Sequence, residues 1–308
     1  MKNKIAILLA AYNGEPYLIE QLQSILNQEN VLSTIFISLD KSSDSSLDIL
    51  KEYSLKYPNI VLLEYGQRFG SAGQNFFHLI KSVDVHEFEY VAFADQDDIW
   101  NGSKLKDAIR MLNETGADGY SSNVIAFWED GREQLVNKAF PQSEFDYLFE
   151  SPGPGCTFVF SVNLFTSMQD FIRSNYSEIN LLWLHDWFSY SFARFNNYKW
   201  VIDPCPSMKY RQHSQNEVGA NAGFLSFFKR VNAMLNGSGL AYAKSQSKFI
   251  GQENTQPMRY LEQGRLGYLK LFFISYKLRR KALDKVFCAL FFLAVLIKGT
   301  NKKEGVLP

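Results

Sequence analysis

Cysteine is scarce in this chain, and its scarcity removes a class of architectures. Only Cys156, Cys205 and Cys288 occur in 308 residues, far apart and with no Cys-x-x-Cys pair. A disulfide framework or zinc site is set aside, and a reducing compartment fits. No Gly-x-Gly-x-x-Gly follows the first apolar run, and Gly-x-x-x-x-Gly-Lys is absent. That argues against a dinucleotide dehydrogenase and a P-loop nucleoside triphosphatase. Long apolar runs are missing too. Residues 286–297 are apolar but number only twelve, and a membrane-spanning helix needs about twenty. Net charge is zero, yet it is unevenly spread. Residues 1–222 carry 17 Lys/Arg against 28 Asp/Glu, while residues 223–308 carry 15 against 4. Such a split predicts a basic appendage with its own partner, and an anionic membrane surface or nucleic acid fits it.

What is present reads as a packed globular protein, 46% hydrophobic and 15% aromatic. The N-terminal apolar run, residues 5–11, is only seven residues long and passes straight into Tyr12-Asn13-Gly14-Glu15-Pro16. It reads as a buried parallel strand, not a signal peptide. Strand-like stretches at 5–12, 33–39, 60–65 and 90–94 alternate with helix-like stretches at 15–28, 44–56, 71–82 and 100–113. This alternation predicts an α/β fold with a mainly parallel sheet covered by helices on both faces. Residues 120–128 and 158–161 read as further strands, 186–195 as an amphipathic helix, and Ser151-Pro-Gly-Pro-Gly-Cys-Thr as a loop.

The strand at 90–94 ends in three carboxylates, Asp95, Asp97 and Asp98. Like charges so close raise one another's pKa unless a cation sits among them. A hard divalent cation such as Mg²⁺, held by one or two carboxylates and substrate phosphates, answers that need. The position past a strand's carboxyl end is where open α/β sheets bind ligands. A solvated acidic turn capping the next helix is the plainer reading of the same residues.

Five fragments, in order, narrow the choice. They are Leu9-Ala-Ala-Tyr-Asn-Gly, Ser38-Leu-Asp-Lys-Ser-Ser-Asp, Ala94-Asp-Gln-Asp-Asp-Ile-Trp, Leu184-His-Asp-Trp and Tyr210-Arg-Gln-His-Ser-Gln-Asn-Glu-Val-Gly. Together they resemble family 2 glycosyltransferases with the GT-A fold, over about residues 4–222. The subgroup they resemble most is the bacterial rhamnosyltransferases of surface polysaccharide synthesis. The resemblance implies Mg²⁺ or Mn²⁺ as cofactor and a nucleotide-diphosphate sugar, best matched by dTDP-L-rhamnose, as donor. It further implies that Ala11, Tyr12 and Asn13 wall the nucleotide base and that Asp40 accepts the imide N–H of the base. The usual Asp-Asp-Gly-Ser is here Leu39-Asp40-Lys41-Ser42, so one carboxylate of that pair is missing. Asp95 is implied at the ribose, Asp97 as metal ligand, and Asp98 as support from behind.

Asp186 falls where the family places its base. An inverting transfer needs a carboxylate to take the acceptor's hydroxyl proton, although an acid in the first turn of a helix is also stabilised by the helix dipole. His185 is implied to orient Asp186 or to bind the acceptor. Trp183 and Trp187 suit stacking on sugar faces as well as core packing, and Gly155 and Cys156 match a segment near the sugars. Arg211 is implied at phosphate oxygens, and His213 as metal ligand or diphosphate contact.

Residues 1–222 are therefore expected to form the catalytic domain and 223–308 a helical, basic extension. In that extension the 286–297 run between Lys285 and Lys298 fits an interfacial helix, or helices packed on the catalytic domain or on a second subunit. The expected acceptor is a lipid-linked saccharide, and the expected location is the cytoplasmic face of the cell membrane, held peripherally, with no nucleic acid partner. A UDP-hexose or UDP-N-acetylhexosamine transferase would share the site, because uracil and thymine present the same imide edge. A nucleotidyltransferase would need a basic, Gly-rich loop after the first strand, and residues 10–17 hold one Gly and no Lys or Arg.

Overall fold

The computed structural model describes residues 2–213 and 238–298. Among these, two compact units separate: residues 2–139, 152–180 and 184–213 form one, and residues 140–151, 181–183 and 238–298 the other.

In the first unit the strands are β1 (Asn3–Ala11), β2 (Val31–Leu39), β3 (Ile60–Leu62), β4 (Tyr90–Ala94), β5 (Ile99–Trp100), β6 (Gly119–Ser122), β7 (Val124–Phe127), β8 (Glu133–Val136), β9 (Val159–Ser161), β10 (Trp200–Asp203) and β11 (Met208–Arg211). Its α-helices are α1 (Leu18–Leu26), α2 (Ser46–Lys56), α3 (Ala72–Ser82), α4 (Lys104–Thr115), α5 (Val162–Ser174) and α6 (His185–Phe195). Seven strands form one sheet in the order β10-β6-β9-β4-β1-β2-β3. All neighbours are parallel except at β9, which runs antiparallel to β4 and β6. The mainly parallel sheet agrees with the sequence reading.

Ile5 through Leu9 of β1 are fully buried. Both faces of the strand are covered, which is why the run is continuous rather than alternating. Helix α1 buries Leu18, Leu22 and Ile25 at i, i+4 and i+7 spacing. Each such residue contributes roughly 1.5–3 kcal/mol through removal from water.

Two boundaries differ from the sequence reading. Trp100 lies in β5, not in a helix, and α4 begins at Lys104. Residues 120–128 are two strands in different sheets, because β7 joins β5, β8 and β11 in a four-stranded sheet ordered β5-β11-β7-β8. Asn123 makes the switch. Its carboxamide oxygen accepts from Lys138 and Ala139 N–H at 2.6 and 3.1 Å, and its nitrogen donates to the Pro204 carbonyl at 2.9 Å.

The register places the site. Leu9 is level with Ala94, and Ala11 with Leu39. The loops after β1, β2 and β4 therefore leave the sheet side by side. In the second sheet, Met208 pairs with Trp100 and Lys209 with Ile99, antiparallel. Continuing that register sets Arg211 opposite Asp97.

The second unit carries α7 (Ser238–Ile250), α8 (Gln256–Leu261), α9 (Gly264–Ile274) and α10 (Ala282–Lys298). Segment 140–151 is bound to it by Arg280. That guanidinium, nearly fully buried, reaches the Asp146 carboxylate at 3.1 Å and donates to the Ser151 carbonyl at 2.7 Å. The apolar run 286–297 lies within α10. The Phe- and Lys-rich stretch 224–230 falls outside the described residues.

Candidate active site

The loop after β1 is fastened to the acid loop by Gln96. Its side-chain oxygen accepts from Tyr12 N–H, and its nitrogen donates to the Tyr12 carbonyl, both at 2.8 Å. Gly14 permits that approach: a Cβ there would lie 2.3 Å from the Gln96 oxygen. Asn13, with φ of 44°, accepts from Ser43 N–H, and its own N–H donates to Ser42. Ala11 is buried, while Tyr12 is half exposed at the rim. Asp40, buried at the end of β2, spends its carboxylate on the backbone. It accepts from Lys41, Phe69 and Gly70 N–H at 2.7–2.9 Å and so fixes the loop at 63–70.

Behind the acid loop, Asp95, Asp98 and Cys156 each place a ligand atom within 4.8 Å of the others. Asp98 is fully buried, and one of its oxygens accepts from Arg211 N–H at 3.2 Å. Burial, with Asp97 and Asp95 beside it, pushes the Asp98 carboxyl well above the usual range. Burial also pushes the Cys156 thiol up, so it stays protonated.

A residue that sequence reasoning missed supplies the cation here. Lys104 is 1% exposed, donates to the Cys156 carbonyl at 2.9 Å, and rests over the Trp100 ring at 3.2 Å. A lysine opening a helix normally points into water, since the helix dipole disfavours it there. Burial brings its ammonium down to about 7, against the pull of Asp98 and Asp95. The sign of the pH effect follows. Unfolded Lys104 titrates near 10.5 and folded Lys104 near 7, so between those values the unfolded chain binds more protons. The penalty for burying the charge is complete below pH 7 and fades as pH rises toward 10.5. Relative to Lys104→Met, the wild type should gain about 4 kcal/mol in urea unfolding between pH 7 and 10. Equal pH profiles for the two proteins would show that Lys104 is not buried as a titrating group.

Arg211 and His213 close the other side. The Arg211 side chain donates to the Asp97 carbonyl at 2.9 Å, pairs with Glu20, and lies 5.0 and 4.6 Å from the Tyr17 and Phe127 rings. In this structure it ties β11 to the acid loop and α1. His213 Nε2 sits 2.7 Å from Asp97 Oδ2, and its ring stacks on Tyr17 at 4.8 Å. Both side chains are about one-tenth exposed. Beside them opens a cleft of about 400 Å³ whose lining includes Pro16, Tyr17, Trp128, Gln212 and His213.

The third group enters through Gly155. A Cβ at this glycine would lie 2.5 Å from His185 Nε2 and 3.1 Å from Asp186 Cβ. The Gly155–Thr157 turn therefore touches the start of α6 on one side, and through Cys156 the acid loop on the other. His185 stacks on Phe76 at 3.8 Å with neither ring nitrogen in a hydrogen bond, and burial holds it neutral by lowering its pKa to about 3. Asp186 is less buried, and one oxygen accepts from Trp187 N–H at 2.6 Å. The two tryptophans diverge. Trp187 is 7% exposed, in the core, whereas Trp183 belongs to the second unit and stacks on Tyr242 at 4.7 Å.

The first unit thus unites Asp40, Asp95, Asp97, Asp98, Gly155, Cys156, His185, Asp186, Arg211 and His213, while Trp183 is counted in the second unit. Gln96, Lys104 and Tyr17 join them. Nothing in the sequence singled out Lys104, Gln96 or Tyr17, because the helix start at Lys104 is visible only in the structure.

A family model described as glycosyl transferase family 2 matches residues 6–172. The chain is 44% identical over 289 residues to the dTDP-rhamnosyl transferase RfbG of Shigella flexneri, an alignment covering 92% of this chain and 98% of the relative. A poly(ribitol-phosphate) beta-glucosyltransferase of Bacillus spizizenii is 39% identical over 117 residues, 37% of this chain and 18% of the relative. Among solved structures, Staphylococcus aureus TarS 1-349 in complex with UDP-GlcNAc superposes with a TM-score of 0.52 at 16% identity, covering 96% of this chain and 92% of that one. A mannosyltransferase from Pyrobaculum calidifontis in complex with GDP-Man and Mn²⁺ gives 0.54 at 12% identity, covering 99% and 89%. These neighbours share the GT-A fold expected from the five fragments. The chain belongs to glycosyl transferase family 2 and is a glycosyltransferase.

Proposed function

We propose that this glycosyltransferase moves L-rhamnose from dTDP-L-rhamnose, with inversion, onto a lipid-linked saccharide at the cytoplasmic face of the cell membrane, in surface polysaccharide synthesis. The donor reading is supported by the name of the relative that matches nearly the whole chain. The observation that carries the chemistry is the meeting of three groups in one unit: the acid loop after β4, the Gly155–Thr157 turn and the start of α6. Ala11, Tyr12 and Asn13 face the base, with Asp40 fixing the neighbouring loop. Asp95 serves the ribose side.

Asp186 takes the proton from the acceptor hydroxyl as that oxygen bonds to the anomeric carbon. The bond from that carbon to the diphosphate oxygen breaks with it, and the electron pair leaves on the nucleoside diphosphate. Neutral His185 packs against Asp186's helix start and does not compete for the proton.

The donor set suits a divalent cation. The Asp97 oxygen and His213 nitrogen lie 2.7 Å apart, close to the ~3 Å between adjacent ligands of an octahedral ion with bonds of 2.0–2.1 Å. Asp97 and His213 would hold Mg²⁺ or Mn²⁺, with Asp98 behind them. Bound there, the ion supplies Lewis-acid compensation of charge on the leaving diphosphate. Arg211 holds the acid loop in place from below.

The test is donor hydrolysis by the full chain over a panel of nucleotide sugars. dTDP-L-rhamnose should be turned over at least ~10-fold faster than UDP-glucose, UDP-N-acetylglucosamine or GDP-mannose, a margin that a few pocket contacts can supply. Preference for a UDP-sugar would replace the donor assignment while keeping the site.

A further inference from the structure

Helices α9 and α10 are apolar on two opposite sides, which a helix packed on a soluble protein is not. On the inner side, Tyr268 and Leu271 of α9 and Phe292 and Val295 of α10 are buried, with the Tyr268 and Phe292 rings 6.5 Å apart. On the outer side of α10, Leu283, Val286, Phe287, Leu290 and Ile297 recur at helical spacing and are 43–72% exposed. Leu266, Leu269 and Phe273 of α9, with Tyr276 just beyond it, do the same at 37–66%. Nine of the sixteen exposed large hydrophobic residues among the described positions thus fall within 266–297. That density exceeds the scatter of single apolar side chains normal on a soluble surface.

Charge identifies the occupant. Residues 264–298 hold eight Lys and Arg against one acid, Asp284; three of the eight, Lys277, Arg279 and Arg280, pair with Glu144, Glu150 and Asp146 of segment 140–151. Arg265 is exposed and Lys270 partly so, beside the outer stripe of α9 at helical spacing from Leu266, Leu269 and Phe273. Two copies meeting through this face would set these cations against each other, a repulsion that a self-complementary contact avoids. An anionic headgroup layer accepts both these cations and the apolar stripe. No helix among the described residues is long and apolar enough to cross a membrane, so the fit is to a helix lying in the interface. We infer that the outer face of the α9–α10 hairpin docks on an anionic lipid bilayer, with Val286, Phe287 and Leu290 entering the headgroup–acyl boundary. This deepens the peripheral location proposed above and rests on it.

The experiment is co-sedimentation of the full chain with vesicles of phosphatidylcholine, with and without phosphatidylglycerol, at low and high salt. Donor hydrolysis and molar mass by light scattering are measured on the same preparations. Wild type should bind the phosphatidylglycerol vesicles, and high salt should weaken that binding. Val286→Glu with Leu290→Glu, and separately Arg265→Glu with Lys270→Glu, should each cut the bound fraction by about tenfold. Both should leave donor hydrolysis unchanged, which shows a folded enzyme and keeps the reaction assignment separate. The inference is overturned if wild type ignores the vesicles, or if both double variants bind as wild type does. It is also overturned if the variants convert a wild-type dimer to a monomer, which gives the face to a second copy.

Discussion

Asp186→Asn should abolish sugar transfer while leaving donor binding and the melting temperature close to wild type. The exchange keeps the side chain's size and one acceptor oxygen, so the 2.6 Å bond from Trp187 N–H can persist. What disappears is the capacity to take a proton. General-base contributions are worth roughly 10²–10⁴-fold, and the loss should appear in kcat rather than in donor affinity. The alternative role, an acid favoured by the N-terminal dipole of α6, is worth only about 0.3–1 kcal/mol. It would appear as a small drop in melting temperature with transfer intact. The two roles therefore separate in a single variant. Near wild-type transfer by the Asn enzyme would reduce Asp186 to a helix-end acid.

A second large effect is expected at Asp97. Asp97→Ala removes one member of the pair with His213, in a place where both side chains are nearly enclosed. If this pair holds the cation, loss of several kcal/mol of charge stabilisation should slow turnover at least ~10³-fold. Binding of the nucleoside diphosphate should weaken as well, because the phosphates lose their cationic partner. Isothermal titration with the nucleoside diphosphate, with and without Mg²⁺, reads this independently of activity: wild-type affinity should depend on the metal and the variant's should not. Full wild-type activity in excess EDTA would remove the metal from the reaction. His213→Ala should resemble Asp97→Ala in both measurements, since the two atoms lie within one coordination sphere's reach.

Much of the main sheet was legible because its central strands are covered on both faces. Residues 5–11 and 90–94 show the unbroken apolar runs that such burial requires, and the alternation with helices fixed the parallel connections. The second sheet left no such trace. Its strands are two to four residues long, and they are joined by pairings such as Met208 with Trp100, between residues distant in sequence. For the same reason residues 120–128 read as one strand. Nothing local shows that Asn123 answers to Lys138, Ala139 and Pro204.

Motif positions gave the site's acids and His213, but not their surroundings. Asp40 stood out as a base contact, and two of its three backbone partners, Phe69 and Gly70, come from a loop some thirty residues later. Arg211 suggested a phosphate partner, while Glu20 and the Asp97 carbonyl, which engage it here, are long-range neighbours. Lys104 drew no reading from the sequence, because only tertiary packing puts Trp100 and the Cys156 carbonyl around its ammonium. The link of segment 140–151 to the C-terminal helices rests on Arg280 and Asp146, 134 residues apart.

The chain has one residue, Asn123, in which to leave the seven-stranded sheet and enter the four-stranded one. β6 gains its outer neighbour only when β10 arrives, and β7 gains β11 a few residues after that. Both sheets therefore wait for the same late stretch, and the entropy of closing that long loop is met once for the two of them. The first unit should accordingly assemble its acid loop and its His213 wall in a single cooperative event, with the donor cleft absent until that event and whole after it.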